Sequence, residues 1–441
     1  MSDPASMPLP SRPTVPPPTA RTSNTRHWVI LFAGTLAIIT YVDRVCVSQA
    51  VPSIRRDLGL DPVEMGYAFS AFAWAYALFE IPSGWLADWM GPRRVLMRVV
   101  VWWSVFTAAT GSAWNLTSLL ITRFLFGAGE AGCFPNLAKV FTTWLPKHER
   151  GRAVGLMWLS ARWGGAFTPL LVVWMFNFMS WRRAFLVFGG LGIVWAILWH
   201  LWFRDDPAEH PGVSAAEREL LREAVDNSSG GGAVPWAKLA RSRTVWLLWL
   251  QYFCFSYGWY FYITWLPTYL QEGRGLALGK SAFLSGFPLF FGGIGSCLAG
   301  TFSMRLARRL RDTAKARRWL AYLGYTGAAV MSIVSMYTVD ATSAMVSMGL
   351  ASFLLDLSLP GSWGACMDVG GRCAGTLSGS MNMMGNIAGA VAPVVVGYIL
   401  KYSNHNWAIT FWISAAIYLL GAACWRWIDP VTPIDEASSR N

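Results

Sequence analysis

The sequence predicts an all-α membrane protein with twelve transmembrane helices in two six-helix bundles. Three observations support this fold class. Hydrophobic residues make up 54% of the chain and charged residues 14%, against about 25% charged residues in a soluble domain. Twelve apolar runs, each about as long as a bilayer is thick, follow one another along the chain. Two short motifs of the first half recur in the second half, which indicates a parallel internal repeat.

A polar stretch divides the apolar runs into two sets of six. The first set falls near 28–50, 64–87, 93–113, 116–140, 152–177 and 184–203. The second set falls near 245–270, 281–303, 318–338, 341–364, 374–400 and 406–427. These runs predict the following division: a disordered cytosolic tail at 1–26, a bundle at 27–203, a cytosolic linker with a short amphipathic helix at 204–243, a bundle at 244–428, and a cytosolic tail at 429–441.

The repeated motifs relate the two bundles to each other. Gly151-Arg-Ala-Val-Gly155 recurs as Gly371-Arg-Cys-Ala-Gly375, and Gly165-Ala-Phe-Thr-Pro169 recurs as Gly389-Ala-Val-Ala-Pro393. Both offsets match the distance between spans one and seven. A repeat of this kind places a central binding site between the two bundles.

Loop charges predict the orientation of the chain in the membrane. An even number of spans puts both termini on one side, and most basic loop residues, such as Arg93, Arg94, Arg308 and Arg309, fall on that side. The positive-inside rule makes that side cytosolic, so we expect a multi-pass protein of a bacterial inner membrane. The formal charge of +12 is spread over these loops, and no nucleic-acid partner is expected.

A charged elbow lies between spans two and three and reads Gly84-Trp-Leu-Ala-Asp-Trp-Met-Gly-Pro-Arg-Arg94. Gly84 and Gly91 allow close backbone approach or a turn, and Asp88 lies where Arg93 or Arg94 can pair with it. This spacing resembles the cytoplasmic loop signature of the major facilitator superfamily of secondary transporters. The resemblance implies the fold of that superfamily (MFS), with these five residues as its gating motif.

Four charged residues lie inside spans one and four. A charge at the bilayer centre costs about 2.5–3.5 kcal/mol, so each one needs a partner or a function. Span one contains Asp43 and Arg44 beside Tyr41, and span four contains Arg123 and Glu130. Arg123 and Glu130 are two turns, or about 10 Å, apart on one helical face and cannot pair directly. Each must find a partner on another helix, and Asp43 is the candidate for Arg123. The alternative for the span-one residues is a structural Asp–Arg pair that only holds the bundles together.

Several motifs together resemble the anion:cation symporter family of that superfamily. They are Tyr-x-Asp-Arg in span one, Arg-x6-Glu followed by Ala-Gly-x-x-Pro-Asn in span four, Glu149-Arg-Gly-Arg-Ala153, Asp368-Val-Gly-Gly-Arg372, and the stretch from Gly375 to Asn386. Members of that family include proton-coupled carriers of sugar acids and other carboxylates.

The resemblance implies roles for individual residues. Asp43 and Glu130 are implied as proton-coupling groups, with Arg123 as a gating or coupling partner. Arg44, Tyr41 and Tyr76 are implied to bind the carboxylate and the hydroxyl groups of the substrate.

Arg162 departs from the family pattern. Sugar-acid carriers of the family tend to have an amide where this chain has Ala161-Arg162. The repeat aligns Arg162 with Asn386 and not with an acid, so we expect the guanidinium to lack a carboxylate partner in the empty site. Arg162 would then meet a second charged or polar end of the substrate.

Six further candidates for substrate binding come from the second half: Tyr257, Tyr260, Ser362, Trp363, Asn382 and Asn386. The two asparagines lie one turn apart on span eleven, and they would face Ser362 and Trp363 of span ten if these two helices line the cavity together. Interhelical hydrogen bonding is the alternative for the asparagines, and aromatic packing for the tyrosines. Asp356 is an isolated acid without an assignable partner, and Glu80 is interpreted as an interface or gate residue outside the site.

These observations predict a proton-coupled symporter of a small organic anion, such as a hexonate, a hexuronate or another carboxylate, working by alternating access. An efflux or exchange carrier of the same superfamily for a dicarboxylate, aromatic acid or drug-like substrate is the alternative. The five histidines lie in tails, loops or span ends, and no enzyme activity, metal or cofactor is expected. The expected partners are the anion, the coupling protons and the lipid bilayer, and the chain is expected to be monomeric.

Overall fold

The structure is a computed structural model that describes residues 23–225, 236–370 and 374–433. Most of the two predicted tails, the Gly-rich part of the linker and the motif at 371–373 lie outside the described residues. The described part is helical throughout its regular elements.

The first half consists of seven long helices and a short linker region. The helices are α1 (Thr25–Leu58), α2 (Pro62–Met90), α3 (Pro92–Thr110), α4 (Leu116–Glu130), α5 (Cys133–Trp144), α6 (Lys147–Phe176) and α7 (Trp181–Trp202). The linker region contains a 3-10 turn (Pro207–Glu209), α8 (Ala215–Val225) and α9 (Trp236–Arg241).

The second half follows the same plan. Its helices are α10 (Arg243–Thr264), α11 (Leu266–Thr268) with a π-helical turn (Tyr269–Gly273), α12 (Leu278–Ser285), α13 (Phe287–Leu310), α14 (Thr313–Tyr337), α15 (Ala341–Asp356), α16 (Leu359–Gly370), α17 (Ala374–Tyr402) and α18 (Trp407–Cys424).

Each predicted apolar run corresponds to one helix or to one broken helix. Span four is α4 plus α5, span eight is α12 plus α13, and span ten is α15 plus α16. In the described part, eight helical stretches are long and apolar enough to cross a membrane, and two of these stretches are the broken spans eight and ten. The remaining spans are α2, α3, α10 and the broken α4–α5 pair, of which α3 carries three arginines near its start. The predicted all-α fold with twelve spans is therefore confirmed.

The two halves meet along α1, α2 and α6 on one side and along α10, α13 and α17 on the other. We call the membrane side where α1 ends and α2 begins the far face, and the opposite side, where α1 begins, the terminal face. At the far face, Arg55 pairs with Glu272 at 2.9 Å and Asp61 pairs with Lys401 at 2.7 Å. The backbones of α2 and α17 also approach closely, because a Cβ on Gly66 would lie 2.8 Å from a carbonyl oxygen of α17.

At the terminal face, the linker helix α8 is held against the first half. Arg26 at the start of α1 donates to Glu149 at 3.0 Å and to Glu217 of α8 at 3.1 Å. Glu217 is fully buried, and its backbone N–H is capped by Ser214 at 3.3 Å. This network attaches the linker to the beginning of α1 and to the beginning of α6.

The elbow between α2 and α3 contacts the end of α7. Gly91 has a positive φ of 79°, and a Cβ at this position would also lie 2.8 Å from the Asp205 carboxylate. The backbone N–H of Arg93 donates to Asp205 at 2.8 Å, and its guanidinium donates to the carbonyl oxygen of His200. Arg94 is exposed. The side chain of Asp88 and the environment of Gly84 lie outside the described residues, so the expected pairing of Asp88 stays a prediction.

Candidate functional site

A buried ion pair joins α1 to the break between α4 and α5. Glu130 is the last residue of α4, and Arg44 Nε donates to its Oε1 at 2.6 Å. Arg44 Nη2 and Glu130 Oε2 have no hydrogen-bond partner among the described residues. The pair therefore has both a donor and an acceptor left over inside the protein, where unsatisfied polar atoms are costly.

Aromatic rings surround the Arg44 guanidinium. Its central carbon lies 4.7 Å from the ring centre of Tyr76, 5.4 Å from that of Tyr41 and 5.3 Å from that of Phe72. Ring faces stabilise a cation without neutralising it, so the guanidinium remains available to an anion. Tyr41 and Tyr76, two predicted substrate ligands, thus lie beside the predicted anion-binding arginine.

Asp43 points away from Arg44, towards α3 and α4. Its carboxylate is 1% exposed and lies near Arg123, Trp103 and Thr107. The expected direct pair with Arg123 is not formed in the described part, where neither carboxylate oxygen has a hydrogen-bond partner. The physical reason is that the Arg123 guanidinium lies over the ring of Phe126, 4.4 Å from its centre. Asp43 and Arg123 therefore interact electrostatically, without a hydrogen bond between them.

Arg162 has a carboxylate partner, which corrects the prediction that it lacks one. Its Nη2 donates to Asp356 Oδ1 at 3.0 Å, and the Ser296 hydroxyl donates to Asp356 Oδ2 at 3.1 Å. Asp356 is therefore not the isolated acid that the sequence suggested. It is the last residue of α15, so its carboxylate lies at a helix break and can reach across to α6. Arg162 belongs to the first half and Asp356 to the second, so the pair bridges the halves.

Glu80 also bridges the two halves, where it contacts two of the candidate residues for substrate binding. Its two carboxylate oxygens accept hydrogen bonds from the side-chain amides of Asn382 and Asn386, the latter at 3.3 Å. The Tyr260 hydroxyl donates to the side-chain oxygen Oδ1 of Asn386 at 2.9 Å. The asparagines thus face Glu80 and not Ser362 and Trp363 as expected, because α2 packs lengthwise against α17.

The other candidates of the second half lie in separate contacts. Ser362 donates to Gln251 Oε1 at 3.2 Å, and that oxygen also accepts from Tyr325 at 2.7 Å. Trp363 packs edge-on against the ring of Tyr252 at 6.1 Å. Tyr257 is buried, and its hydroxyl has no hydrogen-bond partner among the described residues.

Sequence reasoning missed Trp259 and Asp356 as contact residues of the site, and it missed Gln251 as the partner of Ser362. Trp259 lies between the halves, with its ring 6.1 Å from that of Tyr41 and 5.0 Å from the Arg162 guanidinium. Gln251 could have been found as an amide in an otherwise apolar span. Asp356 could have been found from the repeat, because it follows Glu130 by nearly the offset of the repeated motifs.

This fold, with its buried charges at the contact of two six-helix halves, is that of a secondary transporter, and the chain belongs to the major facilitator superfamily. The model of the family described as Major Facilitator Superfamily matches residues 33–393. The resemblance inferred from the motifs is thereby confirmed, and the protein is a transporter and not an enzyme.

Curated relatives refine the family. The chain is 35% identical to the "probable sulfoacetate transporter" of Cupriavidus necator, over 94% of this chain and 96% of that protein. It is 33% identical to the "probable galactarate/D-glucarate transporter" of Escherichia coli K12, over 86% and 88% of the two chains. It is also 31% identical to the "D-galactonate transporter" of Escherichia coli O6:H1, over 92% and 96%. All three names describe transporters of small organic anions, two of them as probable ones.

Among solved structures, the chain resembles a bacterial homologue of the human lysosomal transporter Spinster in an inward-facing, unoccupied conformation. The TM-score is 0.70 at 19% identity, and the match covers 92% of this chain and 95% of that chain. At this level of identity, the similarity concerns the fold alone.

Proposed function

We propose that the protein is a proton-coupled symporter of a small organic anion, in the class of the sugar acids and short sulfonated or carboxylated acids that its relatives' names specify. The observation that carries this proposal is the buried pair of Arg44 and Glu130. In this pair the Glu130 carboxylate binds the Arg44 guanidinium, which is the group that a substrate carboxylate or sulfonate would bind. A proton on Glu130 and an anion on Arg44 can therefore replace the ion pair together.

The balance of charges supports coupling to protons. The buried groups around the contact of the halves include three arginines (Arg44, Arg123 and Arg162) and four acids (Asp43, Glu80, Glu130 and Asp356). With every group ionised, this set has one excess negative charge and repels an anion. Protonation of the acids makes the site neutral and then positive, so protons and anion should bind cooperatively.

Within this proposal Glu130 and Asp43 act in sequence. Glu130 exchanges its bond to Arg44 for a proton when the anion arrives. Asp43, near Arg123 on the other side of α1, holds the second proton and tunes the charge next to the pair. Arg123 remains over the aromatic ring of Phe126, where it can turn towards Asp43 or Glu130 without crossing lipid.

The orientation of the transporter follows from the same proposal. The terminal face, which carries most basic loops, is assigned to the cytosol of a bacterial cell, with both termini on that side. The pairs Arg55–Glu272 and Asp61–Lys401 at the far face must then separate for an anion to enter from outside. Opening and closing of this face is one half of an alternating-access cycle.

Transport by reconstituted variants in proteoliposomes tests the proposal. Wild type should accumulate galactonate, galactarate or sulfoacetate against a gradient when the lumen is alkaline. Asp43→Asn and Glu130→Gln should lose this accumulation, because they cannot carry the proton, while substrate counterflow persists. Asp312→Asn is the matched control, since it neutralises an acid in a loop outside the spans and retains a helix-capping side chain.

Two outcomes would contradict this function. If binding of these anions by wild type does not change between pH 5 and 8, and both acid variants still accumulate substrate uphill, protons are not the coupling ion. If the anions exchange across the membrane but are never accumulated by a proton gradient, the alternative of an exchange carrier is correct.

A further inference from the structure

The second half contains an acid that corresponds to Glu130. Helix α4 ends at Glu130 and helix α15 ends at Asp356, and a second short helix continues each span after the break. Each carboxylate accepts a hydrogen bond from an arginine, at 2.6 Å from Arg44 and at 3.0 Å from Arg162. The internal repeat has therefore placed two acid–arginine pairs at equivalent helix breaks.

The two pairs differ in what they connect. Arg44 and Glu130 lie in the same half, whereas Arg162 and Asp356 lie in different halves. In both pairs a guanidinium nitrogen remains without a partner in the described part of the chain: Nη2 of Arg44 and Nη1 of Arg162. Each arginine is nine-tenths buried or more, at 8% and 6% exposure. A buried guanidinium with an unused N–H is a binding group for a further anionic oxygen.

One aromatic surface joins the two arginines. The Arg44 guanidinium lies 5.4 Å from the ring centre of Tyr41, the Tyr41 ring lies 6.1 Å from that of Trp259, and Trp259 lies 5.0 Å from the Arg162 guanidinium. Such an arrangement offers one guanidinium to each end of an acid that carries two charged groups, with two aromatic rings between the ends.

We infer that Arg162 and Asp356 form a second anion subsite, in which Asp356 substitutes for the distal acidic group of a substrate that carries two acidic groups. This inference rests on the proposed function and specifies its substrate class as small dianions. One end of the dianion binds Arg44 and the other displaces Asp356 from Arg162. The displaced carboxylate takes up one proton, so that a dianion binds with one proton more than a substrate that carries one acidic group. A substrate with one acidic group binds only Arg44 and leaves Asp356 paired with Arg162.

The surroundings of Asp356 support this exchange. Among the described residues, Arg162 and Ser296 donate hydrogen bonds to it, and Tyr262, Tyr418 and Tyr41 lie within electrostatic range, so that these groups come from five helices. Arg162 is the one cation in this set. When a substrate group occupies Arg162, no other member of the set can neutralise the Asp356 carboxylate, and a proton has to do so.

Galactarate and galactonate provide a matched test, because they share a six-carbon skeleton and differ at one end, which is a carboxylate in galactarate and a hydroxymethyl group in galactonate. Binding of both to purified wild type is measured between pH 5 and 8. We expect the galactarate affinity to rise more steeply with falling pH, by up to about tenfold more per pH unit, because one extra proton is bound. We expect Asp356→Asn to abolish this difference in slope and to strengthen galactarate binding relative to galactonate.

Arg162→Gln tests the other partner. We expect it to reduce the ratio of galactarate affinity to galactonate affinity by tenfold or more, since only the dianion uses this guanidinium. Glu272→Gln is the control, because it removes another ion pair that joins the halves at the far face, and it should change both affinities by the same factor. The double variant Arg162→Gln/Asp356→Asn leaves no uncompensated charge and should bind both acids with the pH dependence of galactonate, which gives a readout if either single variant folds poorly.

The results separate this inference from the proposed function. Equal changes for both acids in Arg162→Gln and in Asp356→Asn would show a structural pair and overturn the inference, while proton-coupled galactonate transport would still stand. If wild type binds neither acid nor sulfoacetate, the proposed function fails, and the dianion subsite fails with it.

Discussion

The first half of the molecule contributes charge to the site, whereas the second half contributes mainly amides, hydroxyls and rings. Asp43, Arg44, Arg123 and Glu130 are all buried within the first six spans. The second half presents Tyr260, Trp259 and the asparagine pair, with Asp356 as its buried acid in the described spans. Under the proposed function, the duplicated fold divides its tasks: most of the acids that would carry protons lie in the first half, and substrate recognition is shared across the contact.

The largest effect is expected from Arg44, on which the charge cluster of the first half depends. Arg44→Lys should bind sugar acids almost as poorly as Arg44→Ala, because an ammonium cannot bind a substrate carboxylate in the planar, two-pronged way that a guanidinium can. Removing one partner of a buried charge pair between a protein and its ligand costs about 2–5 kcal/mol of binding free energy, so we expect the affinity to fall by about 100-fold. Equilibrium binding of a sugar acid to wild type and to both variants at one pH measures this loss of affinity. Retained affinity in the lysine variant would mean that Arg44 only holds α1 to α4.

A smaller effect is expected where the two halves meet at Glu80. Glu80→Gln removes the charge that two asparagine amides share, and a charge-assisted hydrogen bond is worth about 1.5–3 kcal/mol. We expect the contact between α2 and α17 to weaken and the affinity for galactonate and galactarate to change together, by about tenfold. Asp57→Asn, a far-face acid bonded to Trp181, is the control. A selective effect on one of the two acids would instead make Glu80 part of a subsite that distinguishes them.

The positions of the spans, and the need of each charged residue inside them for a partner, could be predicted from the sequence. Both follow from the cost of placing polar groups in lipid. The inference that Arg123 and Glu130 each need a partner on another helix depended only on helical spacing. Which partner each one has could not be predicted. Asp43 and Arg44 are neighbours in the chain, yet they face different helices, because successive residues turn by about 100° around a helix.

The missed pair of Arg162 and Asp356 has a similar cause. The repeat relates equivalent positions of the two halves and so aligned Arg162 with Asn386, but it does not indicate which helices of the two halves pack together. Contact is decided by packing, and α6 packs against α13, whose Ser296 also binds Asp356. The break after Asp356 then allows its carboxylate to reach Arg162.

The smallest effect is expected at the far face, where a pair joins the halves in contact with solvent. Asp61 lies in the turn between α1 and α2, outside the spans. Partial burial alone would raise its pKa, but the hydrogen bond from Lys401 and the backbone N–H of Glu64 together lower its pKa below the usual value. The bonded carboxylate is therefore charged throughout the range from pH 5 to 8, and the pair is lost only in stronger acid, as pH falls through the lowered pKa.

Asp61→Asn should accordingly change transport rate and affinity by less than about fivefold, since exposed ion pairs contribute about 0–1 kcal/mol. It should leave the pH dependence of binding between pH 5 and 8 as in wild type, because Asp61 does not titrate there. Because asparagine can still cap α2, the substitution should change the stability of this helix little and should not obscure the effect of the lost ion pair. Binding curves at several pH values for Asp61→Asn and Lys401→Gln provide the check. If binding by either variant depends less on pH than binding by wild type, the group whose protonation controls binding lies at the far face and not among the buried charges of the first half.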